Sequence, residues 1–332
     1  MSILIIDTSY LIYKAYFAYP DLSYQNQPTG AIYGFIKTVL KLITDWQPKI
    51  LVFTVDRPEK TWRHELFSEY KAGRPEMEDK MLRQIPIILE WCQAITPNYL
   101  AVSGFEADDL IWTITQQFYQ NKTDTANQID DLFLENHTPT WIFSADRDLY
   151  QLLVFPQVKF IHSQTGTNGY STFTTHEFFQ KYQIQPQQWL DYKVLVGDPS
   201  DNLAGIPGIG PKTATKILQQ IDHLADLFNF LQIPHQLTNP NLTTNPGSLE
   251  KVAQFLNNPK NRPLVAKIIS YQTTLEQTYL LASLRKVPGV KLSLTTFNLD
   301  FGQPILEKYN FQSLLPNKQN LKSQITLQGS LF

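Results

Sequence analysis

The sequence predicts an α/β fold in which helices flank a mostly parallel central sheet. Short apolar runs such as Ile3–Ile6 and Lys49–Asp56 have the length and the β-branched content of buried strands. Segments with apolar residues at helical spacing separate these runs, and that alternation is typical of parallel strands joined by helices. From about Thr174 the apolar spacing becomes helical, which predicts a second, helical lobe.

The elements of the α/β half, predicted over residues 1–173, follow from their own patterns. Apolar residues recur at helical spacing from Leu11 to Tyr16 and again within Gly30–Asp45. The segment Arg57–Arg83 is polar, has mixed charge and lacks a strong periodicity. The predicted strands are Ile3–Ile6, Lys49–Asp56, Tyr99–Ser103, Thr140–Asp146 and Val158–Ile161, and the helices begin after Asp7 and cover Gly30–Asp45, Ile85–Ile95 and Leu110 onward.

The helical lobe is predicted over residues 174–315, before a polar tail at 316–332. Thr174 and Glu177 have the spacing of a capping box at a helix start. Helices are predicted over Trp189–Val196 and Lys212–Ile221, with the glycine-punctuated run Gly205–Pro211 between them. This arrangement indicates two helices joined by a tight turn.

Composition narrows the class of protein. The 332 residues are 42% hydrophobic and 17% charged, with a formal net charge of −2, which leaves a nucleic-acid partner open because a local basic patch would suffice. The single cysteine, Cys92, excludes a disulfide framework and a cysteine metal site. No run has the features of a signal peptide or the length of a membrane span, so we expect a cytoplasmic protein without membrane contact.

Carboxylates follow successive predicted strands at the point where each strand ends. Because the carboxyl ends of parallel strands meet at one edge of the sheet, these side chains should lie together. A lone Asp after a strand, such as Asp7, is usually a helix N-cap, but capping explains a whole series poorly. The series comprises Asp7, Asp56, Glu106, Asp108, Asp109, Asp146 and Asp148.

So many anions at one edge would repel each other and raise their pKa values unless cations bound there. Oxygen ligands without a cysteine or histidine cluster select Mg²⁺ or Mn²⁺, and the number of carboxylates indicates two ions. Two such ions catalyse phosphodiester hydrolysis, which favours a nuclease or a phosphatase. Asp198 and Asp201 follow an apolar helix and could face the same site, although an acidic cap and turn explains them as well.

Basic and glycine-rich segments suggest contacts with nucleic acid. Gly205–Ala214 lets the main chain approach a phosphate at the start of a helix that carries Lys212 and Lys216. The basic span Lys251–Gln272 could extend this contact, or it could be a solvated helix face. Arg57–Arg83 interleaves basic and aromatic residues, a composition that suits single-strand binding.

These motifs together resemble the 5′ nuclease (flap endonuclease-like) family, which includes the N-terminal 5′-3′ exonuclease domain of bacterial DNA polymerase I and stand-alone relatives. The resemblance runs from Ile3 to about Leu315 and implies a PIN-like fold, a helical arch at about 57–83 and a helix–three-turn–helix motif at about 190–221. It also implies a free-standing nuclease, because no polymerase domain follows. The motifs are Asp7-Thr-Ser, Val55-Asp56, Arg63-His-Glu, Tyr70-Lys-Ala-Gly-Arg74, Glu106-Ala-Asp-Asp109, Ser144-Ala-Asp-Arg-Asp148, Gly197-Asp-Pro-Ser-Asp-Asn202 and Gly208-Ile-Gly210.

The resemblance implies roles for individual residues. Lys71 and Arg74 would contact the scissile phosphate as catalytic residues, and Tyr13 would stack on a base beside the cut. Two Mg²⁺ ions are implied, with Mn²⁺ as a substitute, and a K⁺ ion at the helix–three-turn–helix motif. The first metal would be bound by Asp7, Asp56, Glu106 and Asp108, and the second by Asp146, Asp148 and Asp201 with Asp109 and Asp198 close by; further DNA contacts would come from Arg63, Tyr70, Gly208, Gly210, Lys212, Thr213 and Lys216.

We therefore predict a monomeric, metal-dependent 5′-3′ exonuclease and flap endonuclease that acts on DNA 5′ ends and flaps in replication or repair. The alternatives are a non-catalytic DNA-junction-binding protein and a PIN-type ribonuclease. The tail resembles the short peptide by which bacterial replication proteins bind the sliding clamp, through Gln328, Leu331 and Phe332. A frayed terminus with incidental apolar residues explains the tail equally well.

Overall fold

The computed structural model describes residues 2–120, 139–164, 169–237 and 247–315, and the statements below concern these ranges. The three tail residues predicted to bind a sliding clamp, Gln328, Leu331 and Phe332, lie outside them. Among the described helices, none is both long and apolar enough to cross a membrane.

A six-stranded sheet forms the centre of the α/β half. Its strands are β1 Ile3–Asp7, β4 Ile50–Thr54, β5 Tyr99–Leu100, β6 Thr140–Phe143, β7 Val158–Ser163 and β8 Tyr170–Phe173, and a separate hairpin consists of β2 Ser23–Tyr24 and β3 Gln27–Pro28.

The strand order is β5-β4-β1-β6-β7-β8. All neighbouring pairs are parallel except β7 and β8, which are antiparallel. The strand order reverses at β1, which pairs with β4 on one side and with β6 on the other. Such a switch point, at the carboxyl ends of the strands, is where open α/β sheets bind ligands.

Strands β1 and β4 are buried on both faces, as their uninterrupted apolar runs predicted. Along β1, Ile3 and Ile5 face one hydrophobic core, whereas Leu4 and Ile6 face a second core on the opposite side. Burial of each such side chain contributes about 1.5–3 kcal/mol. The sheet therefore serves as a rigid platform for the residues at its edge.

Helices cover both faces of the sheet and build the helical lobe (α7 to α13 below). The predicted bounds of Ile85–Ile95 and Trp189–Val196 are confirmed, and so is the capping box, in which the Thr174 N–H donates to Glu177 Oε2 at 2.8 Å. The helices are α1 Thr8–Ala18, α2 Gly30–Trp46, α3 Trp62–Leu66, α4 Asp79–Leu82, α5 Ile85–Ile95, α6 Ala107–Gln120, α7 Thr175–Tyr182, α8 Trp189–Val196, α9 Pro211–Gln220, α10 Leu224–Phe230, α11 Ser248–Asn257, α12 Arg262–Ser270, α13 Gln272–Ala282 and α14 Gln303–Lys308, with 3₁₀ turns at Asp148–Val154, Pro186–Gln188, Pro199–Asp201, Pro259–Asn261, Leu299–Gly302 and Gln312–Leu314.

The chain returns from α13 to the α/β half through residues 283–298, which we call the return segment. The Val287 N–H donates to Thr113 Oγ1 at 2.8 Å, and Ser293 exchanges two hydrogen bonds with the Asn98 side chain, at 2.8 and 2.9 Å. Beyond it, Ile305 and Leu306 of α14 enter the hydrophobic core of the α/β half. The final described residues thus pack on the α/β half, whereas the sequence assigned them to the helical lobe.

Candidate metal and nucleic-acid site

Four carboxylates meet at the carboxyl edge of the sheet without a basic partner. Asp7 ends β1, Asp56 and Asp146 follow β4 and β6 closely, and Asp108 lies at the start of α6. None of these residues makes an ion pair within the described ranges. We refer to Asp7, Asp56, Asp108 and Asp146 as the unpaired acids.

The unpaired acids repel one another. Burial, with the charges of the neighbouring Asp56 and Asp146, raises the pKa of Asp7 to about 7, although hydrogen bonds from Tyr10 and Ser144 oppose the rise. Burial also raises the pKa of Asp108 well above its ordinary value, with contributions from Asp146, Asp7 and Asp56 that the charge of Lys71 partly offsets. Burial is the largest cause of both raised pKa values, and the mutual repulsion of these carboxylates adds to it, so a bound cation would favour their charged forms.

The same acids also make local hydrogen bonds. Asp7 caps α1, since its Oδ1 accepts from the Tyr10 N–H at 3.0 Å, and its Oδ2 accepts from Ser144 Oγ at 2.7 Å. Asp56 Oδ1 accepts from the Ala107 N–H, at the start of α6, at 2.7 Å. Asp7 is therefore an N-cap residue, and the capping hydrogen bond fixes its carboxylate at the edge of the site.

A second group of carboxylates at the same edge forms ion pairs with basic side chains. Glu106 pairs with Lys71 and Arg63, Asp201 pairs with Arg74, and Lys193 bridges Asp148 and Asp198. Asp109 pairs with Arg63. We refer to these five carboxylates as the paired acids: Glu106, Asp109, Asp148, Asp198 and Asp201.

Lys71 and Arg74, predicted to contact a phosphate, point at acids in this structure. Lys71 Nζ lies 3.0 Å from Glu106 Oε2, and Arg74 Nη2 lies 2.7 Å from Asp201 Oδ1. Burial lowers the pKa of Lys71, but Glu106 and Asp201 outweigh burial and the net pKa is raised. Lys71 also has a left-handed φ of 57°, an uncommon conformation for lysine. Both cations are charged and close to the acid edge.

The far end of the arch segment is anchored to the first two helices. Gln84 Oε1 accepts from the N–H groups of Ala31 and Ile32 at the start of α2, at 2.8 and 3.3 Å. The Tyr16 hydroxyl donates to Glu78 Oε2 at 2.7 Å. These bonds limit how far the chain that carries Lys71 and Arg74 can move.

Lys193 is a site residue that the sequence analysis missed. It is 7% exposed, lies in the last turn of α8 and donates to both Asp148 and Asp198. Burial lowers the pKa of Lys193, but the two carboxylates outweigh burial and raise it. Burial dominates at Asp148, whose pKa is raised to about 7, whereas the pKa of Asp198 is lowered by Lys193 despite burial. The sequence feature that could have predicted this role is a lysine in an apolar helix, five residues before an aspartate.

Arg63 does not reach the surface, which corrects its predicted contact with DNA. It is 2% exposed, and its five N–H groups all have acceptors: Glu106, Asp109 twice, and the carbonyl oxygens of Leu281 and Ser283. No donor is left for a phosphate.

Tyr70 and Asp109 are also structural in this geometry. Tyr70 is 3% exposed, and its hydroxyl lies 3.3 Å from Glu106 and 3.2 Å from Asp201, so its ring cannot stack on a base. Asp109 is fully buried, and its two oxygens accept from Arg63, Trp62 Nε1 and the Arg285 N–H. These bonds occupy the lone pairs with which Asp109 would bind an ion.

The glycine turn between α8 and α9 lies at the surface beside the acids. A Cβ on Gly205 would come within 2.3 Å of the Val196 carbonyl carbon. The main chain at residue 205 can therefore approach the end of α8 only because this residue lacks a side chain. Gly208 has a φ of 79°, and Gly210 precedes α9 as its N-cap residue. The turn lines a surface cavity of about 640 Å³.

The predicted DNA-binding side chains of α9 are accessible. Lys212 and Lys216 are exposed, and Thr213 is half-buried. Tyr13, on α1, is half-buried against the core of the α/β half. The structure therefore leaves these four side chains available to a ligand, in contrast to Arg63 and Tyr70.

The donor set fits a hard divalent cation by its chemistry. The unpaired acids offer only oxygen ligands and lack a counter-charge, which suits Mg²⁺ or Mn²⁺. Within the described ranges, however, no three Asp, Glu, His or Cys side chains are already gathered closely enough to hold an ion. The acids lie in one neighbourhood and are turned toward hydrogen-bond donors.

Comparison with known proteins relates residues 2–304 to one family. The family description "5′-3′ exonuclease, N-terminal resolvase-like domain" matches residues 2–183, and "5′-3′ exonuclease, C-terminal SAM fold" matches residues 184–304. The 5′-3′ exonuclease of Mycoplasmopsis pulmonis is 35% identical over 69% of this chain and 70% of its own length. That of Aquifex aeolicus is 36% identical over 65% of this chain and 68% of its own length.

Longer proteins and solved structures are also similar. The thermostable DNA polymerase I of Thermus thermophilus is 34% identical over 69% of this chain, which spans only 25% of the polymerase. The T5 5′-exonuclease with bound zinc has a TM-score of 0.58 at 19% identity, over 92% of this chain and 99% of that one. A T5 D15 flap endonuclease in complex with DNA and metal ions has a TM-score of 0.55 at 18% identity, over 92% and 98%. At these identities the structural likeness establishes the fold.

Proposed function

Because the chain belongs to the 5′-3′ exonuclease family, we propose that it is a metal-dependent 5′-3′ exonuclease and flap endonuclease that hydrolyses phosphodiester bonds in DNA. The observation that carries this proposal is the group of unpaired acids beside the arch cations Lys71 and Arg74. Negative charge that needs a metal, next to positive charge that can bind a phosphate, is the arrangement required for phosphodiester hydrolysis.

Two Mg²⁺ ions, for which Mn²⁺ would substitute, are the proposed cofactors. Asp7, Asp56, Glu106 and Asp108 would hold the first ion, and Asp146, Asp148 and Asp201, with Asp198 close by, would hold the second. Bound ions would activate a water molecule and stabilise the leaving oxygen. A K⁺ ion is proposed at the glycine turn, where main-chain atoms line the cavity.

The protein's own side chains would orient the DNA. Lys71 and Arg74 would exchange Glu106 and Asp201 for oxygens of the scissile phosphate and offset its developing charge. The side chains of Lys212, Thr213 and Lys216 on α9 would hold the phosphate backbone without reading bases.

Tyr13 would stack on a base near the cut, since its ring is partly accessible on α1. The solved structure of the T5 D15 flap endonuclease contains DNA and metal ions, which supports DNA as the substrate class here. Binding of a sliding clamp by the tail, a monomeric state, a cytoplasmic location and the division at residue 173 are further proposals.

The test uses a 5′-labelled flap duplex with Mg²⁺, with EDTA in place of Mg²⁺, and with Asp146→Asn. We expect cleavage near the junction between single strand and duplex, and its loss in both controls. Asp21→Asn is the matched variant, because Asp21 is an exposed acid remote from the site, and it should cleave like the wild type. Metal-independent cleavage, or binding of the flap without cleavage, would refute the proposal; preferential cutting of an RNA flap would favour the ribonuclease alternative.

A further inference from the structure

A buried ion pair joins three separate parts of the chain beside the acid edge. Arg63 and Asp109 are 2% and 0% exposed and form a two-pronged pair, with Nη1–Oδ2 at 2.9 Å and Nη2–Oδ1 at 3.0 Å. Arg63 belongs to α3, at the first end of the arch segment, and Asp109 belongs to α6, which also carries Asp108. The sequence assigned this arginine and this carboxylate to DNA and to a metal.

The third part is the end of α13 with the start of the return segment. Arg63 Nε donates to the Leu281 carbonyl at 2.8 Å, and its Nη2 donates to the Ser283 carbonyl at 2.9 Å. The Arg285 N–H donates to Asp109 Oδ1 at 2.9 Å. The arch, the start of α6 and the exit from the helical lobe therefore meet at one guanidinium group.

Trp62 completes this junction. Its Nε1 donates to Asp109 Oδ2 at 3.0 Å, and two guanidinium groups contact its ring. The Arg63 carbon lies 4.4 Å from the ring centroid, and the Arg285 carbon lies 3.4 Å from it. These two cation–π contacts stabilise the position of the ring and, through it, the first turn of α3.

One contact of the junction reaches the proposed metal site directly. Arg63 Nη1 also donates to Glu106 Oε2 at 3.1 Å, on the same oxygen that lies 3.0 Å from Lys71 Nζ. Lys71 is free to leave this oxygen for a phosphate, whereas Arg63 is held by its other acceptors. Arg63 would thus keep the Glu106 carboxylate in place when Lys71 departs.

Stability alone does not explain a charged pair in this position. Replacing a buried ion pair by a well-fitting neutral pair is often neutral or stabilising, because two desolvated charges are expensive. We propose that Arg63 is a positioning residue that, with Asp109, holds Glu106 and the foot of the arch in register with the helical lobe. The effect on cleavage rests on the proposed function, whereas the effect on Mg²⁺ binding can be measured without it.

The experiment compares the wild type with Arg63→Lys and with the neutral double variant Arg63→Gln/Asp109→Asn. The double variant avoids an unpaired buried charge and keeps hydrogen-bonding groups on both sides, so it should retain a melting temperature close to that of the wild type. Lys49→Met is the matched control, since it removes an exposed cation directly before β4, at the end of that strand opposite to Asp56. The measurements are kcat and KM on a flap duplex, and the rise in melting temperature on titration with Mg²⁺ without DNA.

We expect the double variant to lose roughly 10–100-fold in kcat, the range for partners that orient a metal ligand, and to need more Mg²⁺ for the thermal shift. KM for DNA should change little, and Arg63→Lys should recover part of the loss because it keeps the charge but lacks the fork. A folded double variant with wild-type kcat and Mg²⁺ response would overturn the proposal. Failure of the wild type to cleave would refute the nuclease function, while the Mg²⁺-induced shift would still test the positioning of Glu106.

Discussion

The unpaired and the paired acids are the same residue types at the same edge of one sheet, yet they differ in what balances their charge. The unpaired acids, of which Asp7 and Asp108 have clearly raised pKa values, repel each other. The paired acids are balanced by Arg63, Lys71, Arg74 or Lys193. A cation from solution therefore gains most at the first group, whereas at the second group it must compete with the protein's own cations.

Asp108 and Asp109 are neighbours in sequence, but Asp108 is one of the unpaired acids and Asp109 is one of the paired acids. Substitution of Asp108 should have the largest effect on cleavage. Asp108→Asn should reduce flap cleavage by roughly 10³-fold, beyond the 10–100-fold typical of an outer partner of a metal ligand. Its stability should be unchanged or higher, because the substitution removes repulsion from Asp7 and Asp146. Initial rates at saturating Mg²⁺ and chemical denaturation measure the two quantities.

Asp109→Asn is the matched comparison, and it should mainly reduce stability, because it leaves Arg63 buried without its two-pronged partner. If both variants lost cleavage equally and kept full stability, the division into unpaired and paired acids would have no functional meaning.

Lys193→Met tests the paired group. Asp148 and Asp198 would be left beside an uncharged side chain, and loss of one partner of a buried pair should lower the free energy of unfolding by about 3 kcal/mol. Mg²⁺ should restore more stability to this variant than to the wild type, since a bound cation replaces the missing charge. Denaturation with and without Mg²⁺ provides the measurement, and an equal Mg²⁺ effect on both proteins would show that these acids do not bind the ion.

The fold and the location of the site could be predicted because both depend on simple patterns. Short apolar runs predicted the buried strands. Because the carboxyl ends of parallel strands meet at one edge, the sequence also predicted that Asp7, Asp56 and Asp146 lie close together. The short strand β8 escaped prediction because Tyr170–Phe173 is an edge strand with exposed polar residues and no apolar run.

Burial of individual charged groups could not be predicted in the same way. Arg63 and Tyr70 lie in a polar, aromatic segment of the kind that binds nucleic acid, and only tertiary packing shows that they face inward. Lys193 and Arg285 depend on contacts across more than 40 residues of sequence, to Asp148 and to Trp62. The sequence shows which residues carry charge. Only the structure shows which of these charges are already paired within the protein and which are available to a ligand.

Arg74 is the paired cation that is most able to change partners, since its side chain is 53% exposed. Arg74→Gln should change stability by only about 1 kcal/mol, because Arg74 is solvent-exposed and the glutamine amide can still donate to the buried Asp201. Cleavage should fall by roughly 10–100-fold, less than for a sole oxyanion donor, because Lys71 would share the phosphate. The flap assay and denaturation distinguish these effects, and a large loss of stability with normal cleavage would indicate that Arg74 only braces Asp201.

The smallest expected effect concerns a carboxylate outside the site, Asp191, whose partner is a histidine. His223 Nδ1 lies 2.7 Å from Asp191 Oδ2, between α9 and α10, with Asp226 and Asp222 nearby. Burial lowers the pKa of His223, but the hydrogen bond and charge of Asp191 outweigh burial, so the net pKa is raised above its ordinary 6.5. The folded state therefore binds the proton more tightly than the unfolded state does. This contribution to stability is complete below pH 6.5 and is lost as the pH rises through the raised pKa.

The free energy of unfolding should consequently fall with rising pH above 6.5, and His223→Gln should flatten that part of the profile. Denaturation at a series of pH values, in EDTA so that metal binding does not contribute, measures the slope. A profile that falls equally in the variant would assign the titration to another group. Here the pair's own histidine supplies the charge and can lose it at moderate pH, whereas the lysines and arginines that balance the paired acids stay charged throughout. Permanent cations therefore offset most of the negative charge of the paired acids until a metal or a phosphate competes for these partners.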